Sequence, residues 1–451
     1  MKRVLFINPD WTGIHRQSQR QFKRVWPPIS LALAAAMVRE AGHSARILDN
    51  NAQGLPLSRV RDMAARFDQV FVTSTPYDRW QCPALDISFF LDTCKAADPA
   101  RLYILGSHPT ERPAELLAET GARAAILSEP EQTILALVEQ DDPAAGGPPP
   151  KIPGTARLDR DGSLHTAPPR PFLEDMDSLP FPALDLLPLR AYHYFPLMGK
   201  RFGILEASRG CPFGCSFCYL GMYGRKVRRK SPGRFADEVA DAVARHRLDN
   251  LYFMDLEFAL DPGWVNAFCG EIISRGLAFS WACQTRVADL SPALARTMKR
   301  AGCTLVHLGV EAGSARILSA IGKGIAPDQA RAAVAAAREA GMRTVVFFNL
   351  GYPGETEEEM DETVDLALSL SPTWASFHLF VPFPGTKLAA ETGVDCHALP
   401  AHLYPQYVDS HDLKKLKRRL SAAYARFYLR PRFAWNLALD ARRAGRRADH
   451  A

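Results

Sequence analysis

The chain has 451 residues, of which 47% are hydrophobic and 23% are charged, and its formal net charge is +6 at pH 7. A chain of this length is too long to fold around one ordinary hydrophobic core, so we expect two or three domains. The balanced composition excludes a disordered or fibrous chain. The excess positive charge lies mainly after residue 412, where it could face nucleic acid, an anionic membrane surface or an acidic substrate, or simply solvent.

The N-terminus predicts neither a signal peptide nor a membrane span. It runs as MKRVLFINPDW straight into a strand pattern, without a small-residue cleavage site. The longest apolar stretch, residues 29–38, has about half the length that a bilayer requires. The nine cysteines form no even-spaced framework, which indicates a reducing compartment. We therefore expect a cytoplasmic protein without a membrane span.

Residues 1–140 alternate short apolar runs with helical stretches. The apolar runs are 3–8, 44–49, 69–74, 101–106 and 122–127. Short buried strands separated by helices predict an α/β fold with a doubly wound, Rossmann-like parallel sheet. A ligand of such a sheet lies across the carboxyl ends of the strands. These ends are followed by residues 8–11, 74–77, 106–110 and 128–131.

Residues 141–200 are rich in turn residues and proline, which forbids long helices, so we predict a linker and an extended strap. The strand–helix alternation then resumes over residues 201–390. Strand patterns there cover 203–208, 250–254, 279–284, 304–310, 343–350 and 374–381. Six such units predict a partial, open (β/α)6 barrel, because a closed barrel of this type has eight strands. Residues 391–451 predict a basic helical region.

Three cysteines follow the first strand of this second half, in the sequence RGCPFGCSFCY at 209–219 with the spacing C-x3-C-x2-C. Gly210 and Gly214 allow the backbone to curl toward a central charge. Three thiolates can hold three irons of a [4Fe–4S] cluster, and the fourth iron then stays open for a substrate. A zinc knuckle or an ordinary loop is the alternative. Zinc needs a fourth ligand, and the nearest histidines are His193 and His246.

This cysteine loop, with an aromatic residue before the third cysteine and a partial barrel around it, resembles the radical S-adenosylmethionine (SAM) superfamily. The resemblance implies that Cys211, Cys215 and Cys218 hold the [4Fe–4S] cluster and that SAM chelates the open iron. One-electron reduction then cleaves SAM to methionine and a 5′-deoxyadenosyl radical, which abstracts a hydrogen atom from a substrate.

The same resemblance implies a SAM pocket built from the other strand ends. By family analogy its residues are Phe217, Asp255, Glu257, Arg286, Glu311, Ser314, Gly351 and Pro353. Arg286 suits a carboxylate because its guanidinium is a fork of donors. Each position taken alone also fits a surface loop or a helix cap, and Ser314 in particular fits the N-cap of the next helix. Their register on successive strand ends favours the pocket.

Residues 25–49 resemble the first helix and second strand of the cobalamin-binding domain that precedes the barrel in many radical SAM proteins. The resemblance implies cobalamin contacts at the carboxyl edge of the first sheet, from Thr75, Gly106, Ser107 and Glu129. The motif Asp-x-His-x-x-Gly, whose histidine ligates cobalt in mutases, is missing, and Thr12 stands where that histidine would be. A Rossmann-like domain that shapes the substrate pocket without a cofactor is the alternative.

These resemblances imply a cobalamin-dependent radical SAM enzyme that methylates an unactivated carbon. A radical SAM enzyme that cyclises, rearranges or oxidises its substrate, as anaerobic porphyrin cyclases do, is the second hypothesis. A tRNA methylthiotransferase is a third, although its extra cluster cysteines and RNA-binding barrel have no counterpart here. We expect a small-molecule, lipid, tetrapyrrole or peptide substrate, an electron donor such as flavodoxin or ferredoxin, and no nucleic-acid partner.

Overall fold

The computed structural model describes residues 1–11, 25–74, 84–194, 201–408, 411–431 and 433. Within these residues the chain forms a seven-stranded sheet, a six-stranded sheet and a two-stranded hairpin, which is inserted in sequence between the first two strands of the six-stranded sheet. No helix in this described part of the chain combines the length and the apolar character needed to cross a membrane.

The first sheet has the strand order β2-β1-β3-β4-β5-β6-β7. Its strands are β1 (Arg3–Asn8), β2 (Ser44–Asp49), β3 (Gln69–Thr73), β4 (Leu102–Leu105), β5 (Ala124–Ile126), β6 (Thr155–Leu158) and β7 (Leu164–Thr166). The helices of this unit are α1 (Ile29–Glu40), α2 (Asn50–Gln53), α3 (Leu57–Ala64), α4 (Ser88–Lys95), α5 (Ser107–Glu111), α6 (Pro113–Thr120) and α7 (Glu131–Gln140). The first five strands are parallel, which confirms the predicted α/β fold.

Both faces of this sheet are buried, as the near-continuous apolar strands predict. Val4 and Phe6 of β1 pack in one core with α1 and α7, while Leu5 and Ile7 pack in a second core with α3, α4 and α6. Successive side chains of a strand point to opposite faces, so helices on both faces are needed to cover them. The sheet is therefore doubly wound.

The proline-rich segment predicted as linker and strap also contributes two strands. β6 and β7 form an antiparallel hairpin at the edge of the first sheet, paired through β5. The turn between them runs through Asp161 and Gly162, whose φ is 83°. Asp-Gly between two short strands is a hairpin signal that the proline content masked. Residues 167–192 then run as the predicted strap, anchored where Ala183 N donates to Ala32 O at 3.0 Å.

The second sheet has six parallel strands in the order β15-β14-β13-β12-β11-β8. They are β8 (Phe202–Leu205), β11 (Asn250–Phe253), β12 (Ser280–Arg286), β13 (Cys303–Glu311), β14 (Arg343–Leu350) and β15 (Trp374–Leu379). The helices are α8 (Pro232–Ala244), α9 (Pro262–Ser274), α10 (Pro292–Arg300), α11 (Ala315–Ala320), α12 (Pro327–Glu339), α13 (Glu357–Leu370), α14 (Lys387–Thr392) and α15 (Leu413–Tyr428). β8 and β15 lie at opposite edges, so the described barrel is open, as the sequence predicts.

The two units share one hydrophobic core, which runs from β1 and α1 to the barrel strands. Trp26 lies between them, with its ring centroid 5.7 Å from that of Phe202 and 5.3 Å from that of Tyr252. α15 covers the far edge of the barrel, where the hydroxyl groups of Tyr424 and Tyr428 bond to the backbone of β15. Of the predicted helical region 391–451, α15 is confirmed, but the described residues between Gly393 and Asp412 form no α-helix, and residues 434–451 lie outside the described part.

Candidate functional site

The cysteine loop begins where the first barrel strand ends. The predicted strand 203–208 is interrupted, because β8 ends at Leu205 and a two-residue strand, β9 (Ser208–Arg209), follows. β9 pairs antiparallel with β10 (Arg228–Arg229), which closes the loop at its base. Gly210 has a φ of 86°, and a side chain there would collide with the carbonyl group of Lys226. Glycine is therefore required where the loop leaves this hairpin.

The loop holds Cys211 and Cys215 buried and Cys218 half-buried. Its backbone is tied to both sides: Cys211 N donates to Gly224 O at 3.3 Å, and Ser216 N donates to Ile321 O at 2.9 Å. Among the described residues, no three His, Cys, Asp or Glu side chains converge closely enough to hold a single metal ion. The two backbone hydrogen bonds hold the loop between its own hairpin and the turn after α11.

Two buried cations face the thiols. Arg286, the last residue of β12, places Nη1 4.0 Å from Cys215 Sγ and stacks over the Phe213 ring at 3.7 Å. Lys323 places Nζ 2.7 Å from Glu311 Oε1. A hydrogen bond with Cys218 lowers the pKa of Cys215 to about 6, against the effect of burial and with the help of Lys323 and Arg286. The site therefore favours the thiolate of Cys215, the form in which a cysteine binds iron.

Lys323 was not predicted from the sequence. Burial opposes its charge, but the carboxylate of Glu311 and the thiols of Cys215 and Cys218 outweigh burial and raise its pKa. The available signal was the segment IGKG at 321–324, in which glycines flank a cation after a short helix. Only the packing of that turn against the cysteine loop gives the lysine its place.

The two predicted acidic residues lie past β11, at the carboxyl edge of the barrel. Asp255 accepts hydrogen bonds from Ser208 Oγ at 2.5 Å and from Ala207 N at 3.3 Å. Glu257 accepts from Arg286 N at 2.9 Å and from the hydroxyl group of Thr285. Burial raises the pKa of both carboxyl groups, that of Glu257 to about 7. These groups brace the strand ends on either side of the cysteine loop.

Glu311 and Ser314 follow β13. Glu311 has a φ of 75°, unusual for a residue other than glycine, and its carboxylate accepts from Asn349 Nδ2 as well as from Lys323. Ser314 caps α11 through Ile317 N at 3.4 Å and donates to Glu359 at 2.9 Å. The capping interpretation of Ser314 is thus correct, while a strained glutamate beside the thiols is typical of a functional edge.

The turn after β14 carries Gly351 and Pro353. Gly351 N and Tyr352 N both donate to Glu355, at 2.5 and 3.0 Å, and burial raises the pKa of Glu355 to about 7. Phe217 of the cysteine loop packs toward this turn, with its ring 5.3 Å from that of Phe380. The structure therefore brings the predicted aromatic residue and the predicted turn to one side of the cysteine loop.

Three of the four residues predicted at the edge of the first sheet are described, and each of these lies against other protein groups. Gly106 has a φ of 112°, and a Cβ there would lie 2.5 Å from Ser74 Oγ. Ser107 is buried at the start of α5. Glu129 accepts hydrogen bonds from Arg209, Arg228 and the backbone of Leu173. It therefore faces the base of the cysteine loop, which the sequence did not indicate. Thr75 lies outside the described residues.

A doubly wound sheet that precedes an open parallel barrel, with three thiols after the first barrel strand, defines a class of iron–sulfur enzymes. The family model described as the Radical SAM superfamily matches residues 205–367. The chain is 31% identical to the uncharacterized methyltransferase PH0819 of Pyrococcus horikoshii, over 96% of this chain and 93% of the relative. The protein belongs to the radical SAM superfamily, whose members use a [4Fe–4S] cluster and SAM.

Two further comparisons extend over most of the chain. It is 28% identical to the anaerobic magnesium-protoporphyrin IX monomethyl ester cyclase of Rubrivivax gelatinosus, over 96% of this chain and 78% of the relative. Its fold is similar to that of the radical SAM methyltransferase TsrM from Kitasatospora setae, solved with cobalamin and a [4Fe–4S] cluster bound. The TM-score is 0.67 at 19% identity, with 88% of this chain and 76% of TsrM covered. This likeness confirms the predicted fold.

Proposed function

We propose that this protein is a cobalamin-dependent radical SAM methyltransferase that acts on an unactivated carbon. The observation that carries the proposal is the cysteine loop, which presents three thiols at the carboxyl edge of the barrel, with Lys323 near Cys215 and Cys218 and Arg286 near Cys215. This donor set fits a cluster with three protein ligands, because buried cations offset the charge of thiolates and cluster. It offers no fourth thiol in the loop, so one iron is left for SAM.

We assign Cys211, Cys215 and Cys218 as the cluster ligands. The chain's remaining task is to bind and orient SAM and to exclude water. For that task we propose Lys323 together with the predicted Phe217, Asp255, Glu257, Arg286, Glu311, Ser314, Gly351 and Pro353. When bound, the cluster and SAM supply a 5′-deoxyadenosyl radical, and cobalamin supplies a methyl group.

Cobalamin belongs, in this proposal, at the carboxyl edge of the first sheet, near Gly106, Ser107 and the predicted Thr75. The solved TsrM structure supports it, because that protein binds cobalamin and shares this fold over both units. His108 at this edge has both ring nitrogens hydrogen-bonded, to Ser74 Oγ at 3.0 Å and Ala84 O at 2.8 Å. Because both nitrogens already have protein partners, the edge fits a cobalamin whose cobalt is not ligated by His108. Glu129 is not among the proposed contacts.

A radical SAM cyclase is the second candidate, and the relative from Rubrivivax gelatinosus favours it through matching coverage of both units. The two candidates share the cysteine loop and differ in whether a methyl group is transferred. For either one we infer a small-molecule, lipid, tetrapyrrole or peptide substrate. We also infer a one-electron donor of the flavodoxin or ferredoxin kind and a cytoplasmic location, where thiols stay reduced.

Analysis of the products of SAM tests the proposal. The protein is reconstituted anaerobically with iron and sulfide, then incubated with SAM and a chemical reductant, with and without hydroxocobalamin. We expect 5′-deoxyadenosine in both reactions, and S-adenosylhomocysteine with methylcobalamin only when cobalamin is present. Formation of 5′-deoxyadenosine without S-adenosylhomocysteine would favour the cyclase. If neither product forms and no iron is retained, both candidates fail.

A further inference from the structure

Five buried charged side chains join the N-terminal sheet to the base of the cysteine loop. Glu129 and Glu131 follow β5 in the first unit, Glu206 follows β8, and Arg209 and Arg228 belong to the β9–β10 hairpin. We call this group the loop latch. It lies outside the thiol site, and it includes neither the three cysteines nor any residue of the proposed SAM pocket.

Arg209 is the centre of the loop latch. Its side chain is fully buried, and its guanidinium contacts three carboxylates: Nη2 lies 2.7 Å from Glu131, Nε lies 2.5 Å from Glu206, and Nη1 bonds to Glu129. Burial opposes the charge of this guanidinium, but the neighbouring carboxylates outweigh burial and raise its pKa. Only arginine offers enough donors in a rigid fork to serve three carboxylates at once.

Glu129 extends the loop latch to two more segments. It accepts from Arg228 Nη1 at 2.8 Å, on the second strand of the hairpin, and from Leu173 N at 3.0 Å, on the strap. The ring of Tyr223, which lies inside the cysteine loop, stacks 5.4 Å from the Arg209 guanidinium. The first sheet, the strap and both strands at the base of the loop therefore meet at one carboxylate.

We propose that Arg209 is a positioning residue for the cysteine loop, and that its ion pairs with Glu129 and Glu131 make the loop's shape depend on the docked N-terminal sheet. Arg209 lies two residues before Cys211, and the backbone of Gly210 between them packs closely against the carbonyl group of Lys226. Because the chain has little freedom between the two residues, a displacement of Arg209 also displaces Cys211. The relevance of this loop shape to catalysis rests on the proposed function. The ion pairs of Arg209 are observed in the structure and do not depend on that function.

The proposal is tested by measuring amide hydrogen exchange in the purified protein before any cluster is reconstituted. Glu131→Gln and Glu129→Gln each neutralise one carboxylate and keep its shape. Asp141→Asn is the matched control, because Asp141 is buried and forms an ion pair, 2.6 Å long, with the half-buried Arg123 inside the first unit. We expect amides of residues 210–218 to exchange on the order of tenfold faster in the Glu129 and Glu131 variants, and at the unsubstituted rate in the control. Equal exchange in all three variants would overturn the proposal.

Iron binding supplies the second readout. In reconstituted protein, Glu131→Gln should lose cluster iron faster than Asp141→Asn when a chelator is added, and Arg209→Lys should behave like Glu131→Gln because a lysine keeps the charge and loses the fork. If Arg209→Lys retains iron as the unsubstituted protein does, the positioning role is wrong. If the unsubstituted protein binds no iron, the proposed function fails, whereas the exchange rates still decide on the loop latch.

Discussion

Both sheets place charged side chains at the carboxyl ends of their parallel strands, but these side chains have different partners. At the barrel edge, Lys323 and Arg286 face the thiols of the cysteine loop. At the edge of the first sheet, Glu129 pairs with arginines of the hairpin, and Asp49 accepts from Tyr192 of the strap at 2.6 Å. At the barrel edge, cations lie beside thiols that can ionise. At the first edge, the carboxylates accept hydrogen bonds from side chains of other segments of the chain.

This difference in partners indicates two roles: the charges of the first edge hold segments of the chain together, and those of the barrel edge prepare the thiols to bind a cluster. A buried ion pair between protein groups holds segments in register, and breaking it is costly because one charge stays buried without compensation. Buried cations beside thiols serve a different purpose, because they stabilise the thiolates that a metal cluster needs. We therefore expect substitutions of the thiols and of the cations beside them to act on chemistry, and those of the charged groups at the first edge to act on assembly and stability.

The largest effect tests the barrel edge itself. Cys215→Ala should remove the iron–sulfur chromophore and reduce 5′-deoxyadenosine formation to background, because the cluster loses one of three protein ligands. Iron content and visible absorption after anaerobic reconstitution measure it. Cys303→Ala, at a fully buried cysteine of β13, is the control and should retain the chromophore. A full cluster in Cys215→Ala would break the ligand assignment.

A smaller effect on the same edge sharpens the comparison. Lys323→Met should lower the rate of SAM cleavage by about 10–100-fold, as expected for groups that support metal ligands. It should also raise the pKa of Cys215, which the pH dependence of thiol alkylation measures in protein without a cluster. Lys323→Arg should restore most of the activity. Lys230→Met removes an equally buried cation, paired with Glu238 at 2.6 Å, and equal losses in both methionine variants would make the effect of Lys323 one of stability alone.

The Gly351 turn predicts a pH dependence of stability. Burial raises the pKa of Glu355 from 4.5 to about 7, so between these values the folded chain holds a proton that the unfolded chain has released. The free energy of unfolding must then fall as pH rises through this window, by on the order of 3 kcal/mol at most for this group. Glu355→Gln should lose that part of the slope in denaturation at pH 5 and pH 8. Glu362→Gln, on the exposed face of α13, should keep it, and an unchanged slope in Glu355→Gln would contradict the prediction.

The smallest effect tests the first edge. Tyr192→Phe removes the hydrogen bond to the buried carboxylate of Asp49, which should lower the free energy of unfolding by about 1–3 kcal/mol. The rate of SAM cleavage by the folded protein should not change, because this contact joins the strap to the first sheet. Denaturation and product assays measure the two quantities. A large fall in SAM cleavage at unchanged stability would show that this edge does more than hold the strap.

Much of the fold was predictable because it is encoded locally. The six barrel strands lie within a few residues of their predicted positions, and α15 lies in the predicted helical tail. The hairpin β6–β7 was missed although Asp161-Gly162 marks its turn, because proline content dominated the interpretation of that segment. Glu129 was predicted at a cofactor edge from its place after β5. That place is correct, but the sequence did not show that Arg209 and Arg228 lie opposite.

The sequence by itself determined the alternation of strands and helices and the three-cysteine loop, since apolar periodicity and short spacings are properties of neighbouring residues. The tertiary structure alone decided which charges meet. Lys323 reaches the thiols through the turn after α11, and Arg209 pairs with Glu131 from 78 positions away. Such contacts depend on which elements pack together, and burial then gives each of these charges an energy that no local pattern records.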